Sequence, residues 1–338
     1  MTYKSPVRFG ILGAARIVPQ ALIKPAEQLD RVEIVAIAAR DPLKARAFAL
    51  AHRIPRVLSS YDDVIGASDI DAIYIPLPNS LHYEWTIRAL RAGKHVLCEK
   101  PIASNADEAQ QMADAASETG LILAEAFHYR YHPLAAYVHE LLHAGRIGRI
   151  IHFDGHFAVP SLPTNIRFDW ALSGGATMDL GFYLLDMVRY FSGLKPRVRR
   201  AYARVGPPKI DITMEADLAF ENGTSARMNC SIAPDARAAA WFSAKGERGE
   251  LLVTNLVAPH GGHLLTLRTG ISEQREVVDG ETTYLYQLQA FAAAVQDNEP
   301  IATAGSDGVL NMRLIDEVYR AAGLPMRGSL SGVHMMYY

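Results

Sequence analysis

Val7-Arg8-Phe9-Gly10-Ile11-Leu12-Gly13-Ala14-Ala15-Arg16-Ile17-Val18 joins a strand-sized apolar run to a glycine turn, and the fold class follows from that junction. Its first six residues are apolar but for Arg8, the pattern of a buried strand. Gly13 then falls where such a strand must turn sharply into a helix. Against the glycine pattern of a pyrophosphate-cradling turn, Gly13 holds the tight-turn position, Ala15 replaces the second glycine and Val18 the small third residue. Alanine still permits fairly close backbone approach, whereas Val18 pushes the helix outward. Taken alone the motif is weak, and its weight comes from the strands and helices downstream.

Outward from this turn the alternation continues. Apolar runs at Val32–Ala38, Ala72–Leu77, His95–Glu99 and Leu121–Phe127 are separated by helical segments at Pro42–His52, His82–Ala92 and Asp107–Thr119. Near-continuous Val, Ile and Ala mean strands buried on both faces, as in a parallel sheet covered by crossover helices. Asp41-Pro42 is an N-cap followed by proline at the first helical position, and Pro25 ends or kinks the first crossover helix early.

After Phe127 the texture changes. A helix at Pro133–Ala144 precedes alternating segments at Ile150–Ala158, Arg199–Val205, Ala216–Phe220, Thr224–Ile232, Gly249–Val253 and Leu264–Arg268, and two helices follow at Tyr284–Gln296 and Ser306–Ala322. Period-two alternation predicts an open, largely antiparallel sheet with one polar face. The expected fold class is α/β, a doubly wound parallel Rossmann sheet in residues 1–126, followed by an α+β domain in residues 127–338. Ser329–Tyr338 carries no readable chemistry.

The bulk composition narrows the function classes. The chain of 338 residues has 34 basic and 36 acidic side chains and a formal net charge of −2. That balance gives no reason to expect nucleic acid or an anionic membrane as partner. Two cysteines, Cys98 and Cys230, fit a reducing compartment and leave a single bridge open. With no signal-peptide core and no apolar span of membrane length, a cytoplasmic protein is expected.

The end of the second run bears on the cofactor. In such folds an Asp or Glu there binds the ribose 2′-hydroxyl of NAD. This run, Val35-Ala36-Ile37-Ala38-Ala39, ends instead at Arg40, and Lys44 lies one turn on. A guanidinium pairs with a 2′-phosphate and stacks on adenine, so the reading favours NADP over NAD. Asp41 is a competing ribose ligand. Gly13, Ala15, Arg16 and Ile17 are the pyrophosphate-side candidates.

Three further segments carry a resemblance. They are Glu99-Lys100-Pro101, Arg130-Tyr131-His132-Pro133 and Gly174-Gly175-Ala176-Thr177-Met178-Asp179-Leu180-Gly181-Phe182-Tyr183. With them the chain resembles the glucose–fructose oxidoreductase/inositol dehydrogenase/rhizopine catabolism family. Tyr284–Gln287, Ala290-Phe291 and Ala322-Gly323-Leu324-Pro325 resemble its subgroup of D-xylose 1-dehydrogenases and dimeric dihydrodiol dehydrogenases. The likeness implies that Lys100 is catalytic and Asp179 binds substrate. Many members have histidine four residues after that Asp, but this chain has Tyr183, which the resemblance links to pyranose sugars or cyclic dihydrodiols. It also implies that the loop with Pro76, Asn79 and His82 lines the dinucleotide, that Glu99 contacts the nicotinamide ribose unless it pairs with a nearby base, and that the second domain forms a homo-oligomer, a dimer or higher.

Oxidising an alcohol needs a base for the hydroxyl proton and a hydride acceptor close to the carbon. A phenol, with a pKa near 10 when unperturbed, serves as base only if that value is lowered, and Lys100 is the ammonium that would do so. Asp179, four residues before Tyr183, shares its helix face. Arg130 and His132 at the domain junction, and Asn165, Arg167 and Trp170 before the Gly-Gly turn, are substrate-side candidates, with Trp170 equally suited to packing.

One pattern competes. His139-Glu140-Leu141-Leu142-His143 matches the H-E-x-x-H of zinc peptidases. Arg149 stands where a third histidine would follow and no glutamate comes before Glu215, so no metal is assigned. The expected activity is NADP-dependent oxidation of a cyclic sugar at aldopyranose C1. A trans-dihydrodiol dehydrogenase, a keto- or anhydro-sugar reductase and a non-catalytic NADP-binding regulator are the alternatives.

Overall fold

The computed structural model describes residues 5–328, so Ser329–Tyr338 lie outside it. Six strands, β1 (Val7–Leu12), β2 (Val32–Ala38), β3 (Arg56–Val57), β4 (Ala72–Ile75), β5 (His95–Cys98) and β6 (Leu123–Glu125), form one parallel sheet in the order β3-β2-β1-β4-β5-β6. All four residues of β4 are buried, as are five of six in β1, which is why these strands read as continuous apolar runs. The order reverses between β1 and β4, and in open α/β sheets ligands bind beyond the carboxyl ends of strands at such a switch.

The crossovers follow local chemistry. Helix Pro42–His52 starts where an Asp41 carboxylate oxygen accepts the N–H groups of Leu43 and Lys44, and stops at Arg53 in the left-handed region. The first crossover is short, a π turn at Pro19–Ile23 running into Lys24–Ala26, with Pro25 inside it. Val18 is fully buried in the core beneath.

At the start of β5, the half-buried His95 accepts the Ile122 N–H at Nδ1, which needs the neutral ring. Burial lowers its pKa, so the unfolded chain takes up the proton first and stability falls as pH drops below the ordinary imidazole value of 6.5. Thermal midpoints followed from pH 7 to 5 should decline less in His95→Gln than in the parent. Parallel slopes would show that His95 is not the linked group.

The backbone contacts group the chain into two compact units. One comprises the residues up to Ala103 with Asp107–His132 and Glu281–Val309, and the other Ser104–Ala106, Pro133–Gly280 and the residues from Leu310 on. The sequence pattern assigns everything after residue 126 to the second domain, but helix Thr283–Asp297 is in the first unit. It brings Tyr284, Leu288, Phe291 and Ala292 into the core around Phe9, with the Phe9 and Phe291 rings 5.4 Å apart. The next residues edge β6, since the Thr303 carbonyl accepts the Glu125 N–H and its hydroxyl donates back to the Glu125 carbonyl.

In the second unit eight strands form a mixed sheet. They are β7 (Ile150–Ala158), β8 (Arg197–Gly206), β9 (Ile210–Ala219), β10 (Ser225–Ser231), β11 (Ala239–Gly246), β12 (Gly249–Thr254), β13 (Leu264–Thr269) and β14 (Ser272–Glu276), in the order β14-β13-β12-β11-β7-β10-β9-β8. Only β7 and β10 run parallel. A helical run, Thr177–Gly181 continued by Phe182–Ser192, packs on one face through buried residues that include Tyr183, Leu184 and Val188. Cys98 and Cys230 are both free thiols and buried. Among the described residues no helix is long and apolar enough to cross a membrane.

Candidate active site

In the first unit the candidates gather along one sheet edge because adjacent parallel strands end there. Gly13 follows β1, Arg40 follows β2, Pro76 follows β4, and Glu99 and Lys100 follow β5. Gly13 has φ +101°, and its N–H donates to the Ala38 carbonyl at 2.7 Å. A Cβ there would meet Leu77 Cδ2 at 3.0 Å, so this turn requires glycine even though the rest of the pattern is lost. Ala15 is half-buried with its carbonyl accepting the Val18 N–H, and Ile17's carbonyl starts the helical turn by accepting from Ala21. Arg16, Arg40 and Lys44 are exposed. The turn and this basic trio suit a dinucleotide: a small residue at the tight bend, and cations for its phosphates.

Asp41, the competing ribose ligand, is occupied in capping the helix through one of its oxygens. Glu99 is matched with a tyrosine. Its Oε1 accepts the Tyr74 hydroxyl at 2.7 Å, its Oε2 faces the Lys100 N–H at 3.3 Å, and burial raises its pKa. Asn79 opens a short turn, Asn79–Leu81, whose carbonyl accepts the His82 N–H.

Three candidates are engaged by the protein itself. His82 is fully buried, with its ring nitrogens 2.8 Å from the carbonyls of Pro101 and Leu77. It ties the loop after β4 to the Lys100–Pro101 corner, so its polar atoms face protein rather than a dinucleotide. Arg130, expected on the substrate side, is held by its own unit. Its side chain is 6% exposed, pairs with Asp307 at 3.0 Å and donates to the Ala302 carbonyl. His132 is likewise buried, with the Tyr286 ring edge-on to it.

In the second unit Arg167, Trp170, Asp179 and Tyr183 belong to one segment. Asn165 caps the turn Ile166–Phe168, the Arg167 carbonyl accepts the Gly175 N–H, and the Arg167 guanidinium pairs with Asp179. Tyr183 lies one helical turn beyond Asp179, 4% exposed, with its ring against Phe182 and Phe157. The half-buried Trp170 carries the Arg327 guanidinium 4.2 Å from its ring centre. Residues of the 163–171 loop and Pro208 line an open depression of about 500 Å³. A larger one in the first unit, about 580 Å³, lies by Val7, Arg8, Glu33 and His95, where strands begin, and so on the edge away from the candidates.

Two residues that sequence reasoning misses are Arg327 and Asp211, which are joined by a buried ion pair. A lone Arg after Leu324-Pro325 and a lone Asp opening an alternating strand carry no motif. In the H-E-x-x-H segment the His139 and His143 rings stack at 3.8 Å, and no group of three His, Cys, Asp or Glu that could hold a metal occurs among the described residues.

Residues 7–127 match the "Oxidoreductase family, NAD-binding Rossmann fold", and residues 135–252 match the "GFO/IDH/MocA C-terminal domain". The chain is 35% identical over 318 residues to D-xylose 1-dehydrogenase (NADP(+)) 2 of Haloferax volcanii, covering 93% of this chain and 97% of that protein. It is 33% identical to the dTDP-3,4-didehydro-2,6-dideoxy-alpha-D-glucose 3-reductase of Saccharopolyspora spinosa, over 90% and 93% of the two chains. Among solved structures, a 3-ketoreductase from Actinomadura kijaniata in complex with NADP and TDP-benzene matches with a TM-score of 0.87 at 27% identity, over 94% of this chain and 98% of that one. With both halves matched and relatives aligned along nearly their whole length, the chain belongs to the GFO/IDH/MocA family and is a nicotinamide-dependent oxidoreductase.

Proposed function

We propose that this chain is an NADP-dependent dehydrogenase oxidising the C1 hydroxyl of an aldopyranose of the D-xylose or D-glucose kind. The observation that carries this reading is the pair Asp179 and Tyr183, an acid and a phenol one turn apart on a single helical run, with Asp179 braced by Arg167. Oxidation at C1 requires the hydroxyl proton to leave as the hydride does. Tyr183 takes that proton, and Asp179 accepts a hydrogen bond from a neighbouring sugar hydroxyl. Lys100 donates to the reacting oxygen and favours its negative charge. The dinucleotide, when bound, supplies the hydride acceptor.

NADP is favoured because Arg40 and Lys44 flank the carboxyl end of β2 while Asp41 holds the helix start. The 35% identity to an enzyme named for NADP and D-xylose supports the same choice. Reduction of a keto-sugar, the reverse sense with the same groups, is a second reading favoured by the 33% identity to a keto-sugar reductase.

The test has two arms. In binding titrations NADPH should be preferred to NADH by about tenfold or more, the scale of one charge-assisted pair, and equal affinity would sink the NADP assignment. The protein is then incubated with NADP and a panel of aldoses, polyols and dihydrodiols, or with NADPH and keto-sugars, while nicotinamide absorbance is followed. Turnover of an aldopyranose is expected. Turnover of keto-sugars alone moves the assignment to the second reading, and silence with cofactor bound refutes the first.

A further inference from the structure

Arg327 is the largest fully buried side chain among the described residues, and its carboxylate partner Asp211 is fully buried too. Removing such a pair from water costs several kcal/mol per ion, so it persists only where further hydrogen bonds complete it, and it is weak evidence for stability as such. Three contacts of this pair, to Trp170, Gly174 and Thr177, run to one segment. Arg327 Nη2 meets Asp211 Oδ1 at 2.6 Å, Nε donates to the Gly174 carbonyl at 2.7 Å, and Nη1 to the Pro325 carbonyl at 3.2 Å. The guanidinium carbon lies over the rings of Trp170 and Tyr319, 4.2 and 4.4 Å from their centres.

Asp211 then extends the link. Its Oδ1 also accepts the Tyr319 hydroxyl, and its Oδ2 accepts the Thr177 N–H at 2.7 Å, a donor that the start of a helix leaves without a partner. Gly174 and Thr177 bracket the turn that launches the run carrying Asp179 and Tyr183. Inside that turn Gly175 donates to the Arg167 carbonyl and accepts the Asp179 N–H, so the position of the turn also sets the Arg167–Asp179 pair.

We propose that Arg327 and Asp211 are positioning residues: a buried clamp that fixes the Gly174–Thr177 turn and thereby the placement of Asp179 and Tyr183 for turnover. The proposal rests on Tyr183 being the proton-transfer group. A misplacement of about 1 Å is enough to cost a reacting group orders of magnitude in rate.

Arg327→Lys keeps a cation near Asp211 but loses the Nε donor to Gly174. With the aldose turned over best in the panel, kcat should fall about tenfold while NADPH affinity and circular dichroism stay unchanged. In a Tyr183→Phe background the same substitution should change the remaining kcat by less than about twofold, because the proton-transfer share of kcat runs through Tyr183, while the share that runs through Asp179 shows as a raised KM in both backgrounds. Equal losses in both backgrounds, or parental kcat in a folded Arg327→Lys protein, overturn the clamp. If Arg327→Lys does not fold, Tyr319→Phe removes only the hydroxyl on Asp211. It should then lower kcat about threefold, again only when Tyr183 is present, and no loss overturns the proposal. Parental turnover in Tyr183→Phe alone removes the proton-transfer reading itself, a result separable from failure of the clamp.

Discussion

Tyr183→Phe should slow hydride transfer by at least about a hundredfold, the scale of losing a positioned general base, while leaving NADPH binding intact. The substitution removes only the hydroxyl. Tyr183 is almost fully buried with its ring against Phe182 at 4.2 Å and Phe157 at 5.9 Å, contacts that phenylalanine keeps. A loss of rate would therefore not come from a cavity, and circular dichroism and the thermal midpoint should stay close to those of the parent. Single-turnover formation of reduced nicotinamide, followed with the best aldose, separates chemistry from product release. Near-parental rates would take Tyr183 out of the mechanism.

Gly175→Ala should destabilise the fold severely although it adds a single methyl group. Gly175 has φ +135°, where an L side chain is strained, and a Cβ would fall 2.1 Å from Asp211 Oδ1 and 3.0 Å from Arg327 Nη2. Backbone strain and overpacking each cost about 1–3 kcal/mol, and at this position they act together on a carboxylate that cannot withdraw without releasing Thr177. A loss of about 3 kcal/mol or more is expected, a large share of a typical folding free energy. Denaturant titration measures it, and an unchanged midpoint would mean that the turn relaxes freely.

Much of the first unit is legible in the sequence because its strands are buried on both faces. Val7–Leu12, Val32–Ala38 and the helix Pro42–His52 run as their apolar pattern and caps predict. In the second unit β11 escapes sequence reasoning, since Ala239-Ala240-Trp241 lacks β-branched residues and sets up no alternation. The two-residue β3 is too short to show a period. Lys100, Asp179 and Tyr183 stand out through motifs, whereas the residues that hold the latter two do not. Arg327 and Asp211 are 116 residues apart and neither spacing nor neighbours mark them. His82 and Arg130 show the complementary case. A polar residue beside a motif invites a ligand, while the Leu77 and Pro101 carbonyls that His82 meets and the Asp307 carboxylate that Arg130 meets are visible only in the folded chain.

The helix Thr283–Asp297 has a consequence for how the protein is made. Phe9, Ala21 and Leu22 leave the ribosome well before Tyr284, Leu288 and Phe291, which share their core and follow about 260 residues or more later. The edge of β6 likewise waits for Thr303. A nascent chain bearing all six strands of the first sheet thus still shows an unsealed apolar patch to the ribosome exit and to chaperones. The core of this unit therefore closes only with a segment translated after the whole 133–280 stretch of the other unit.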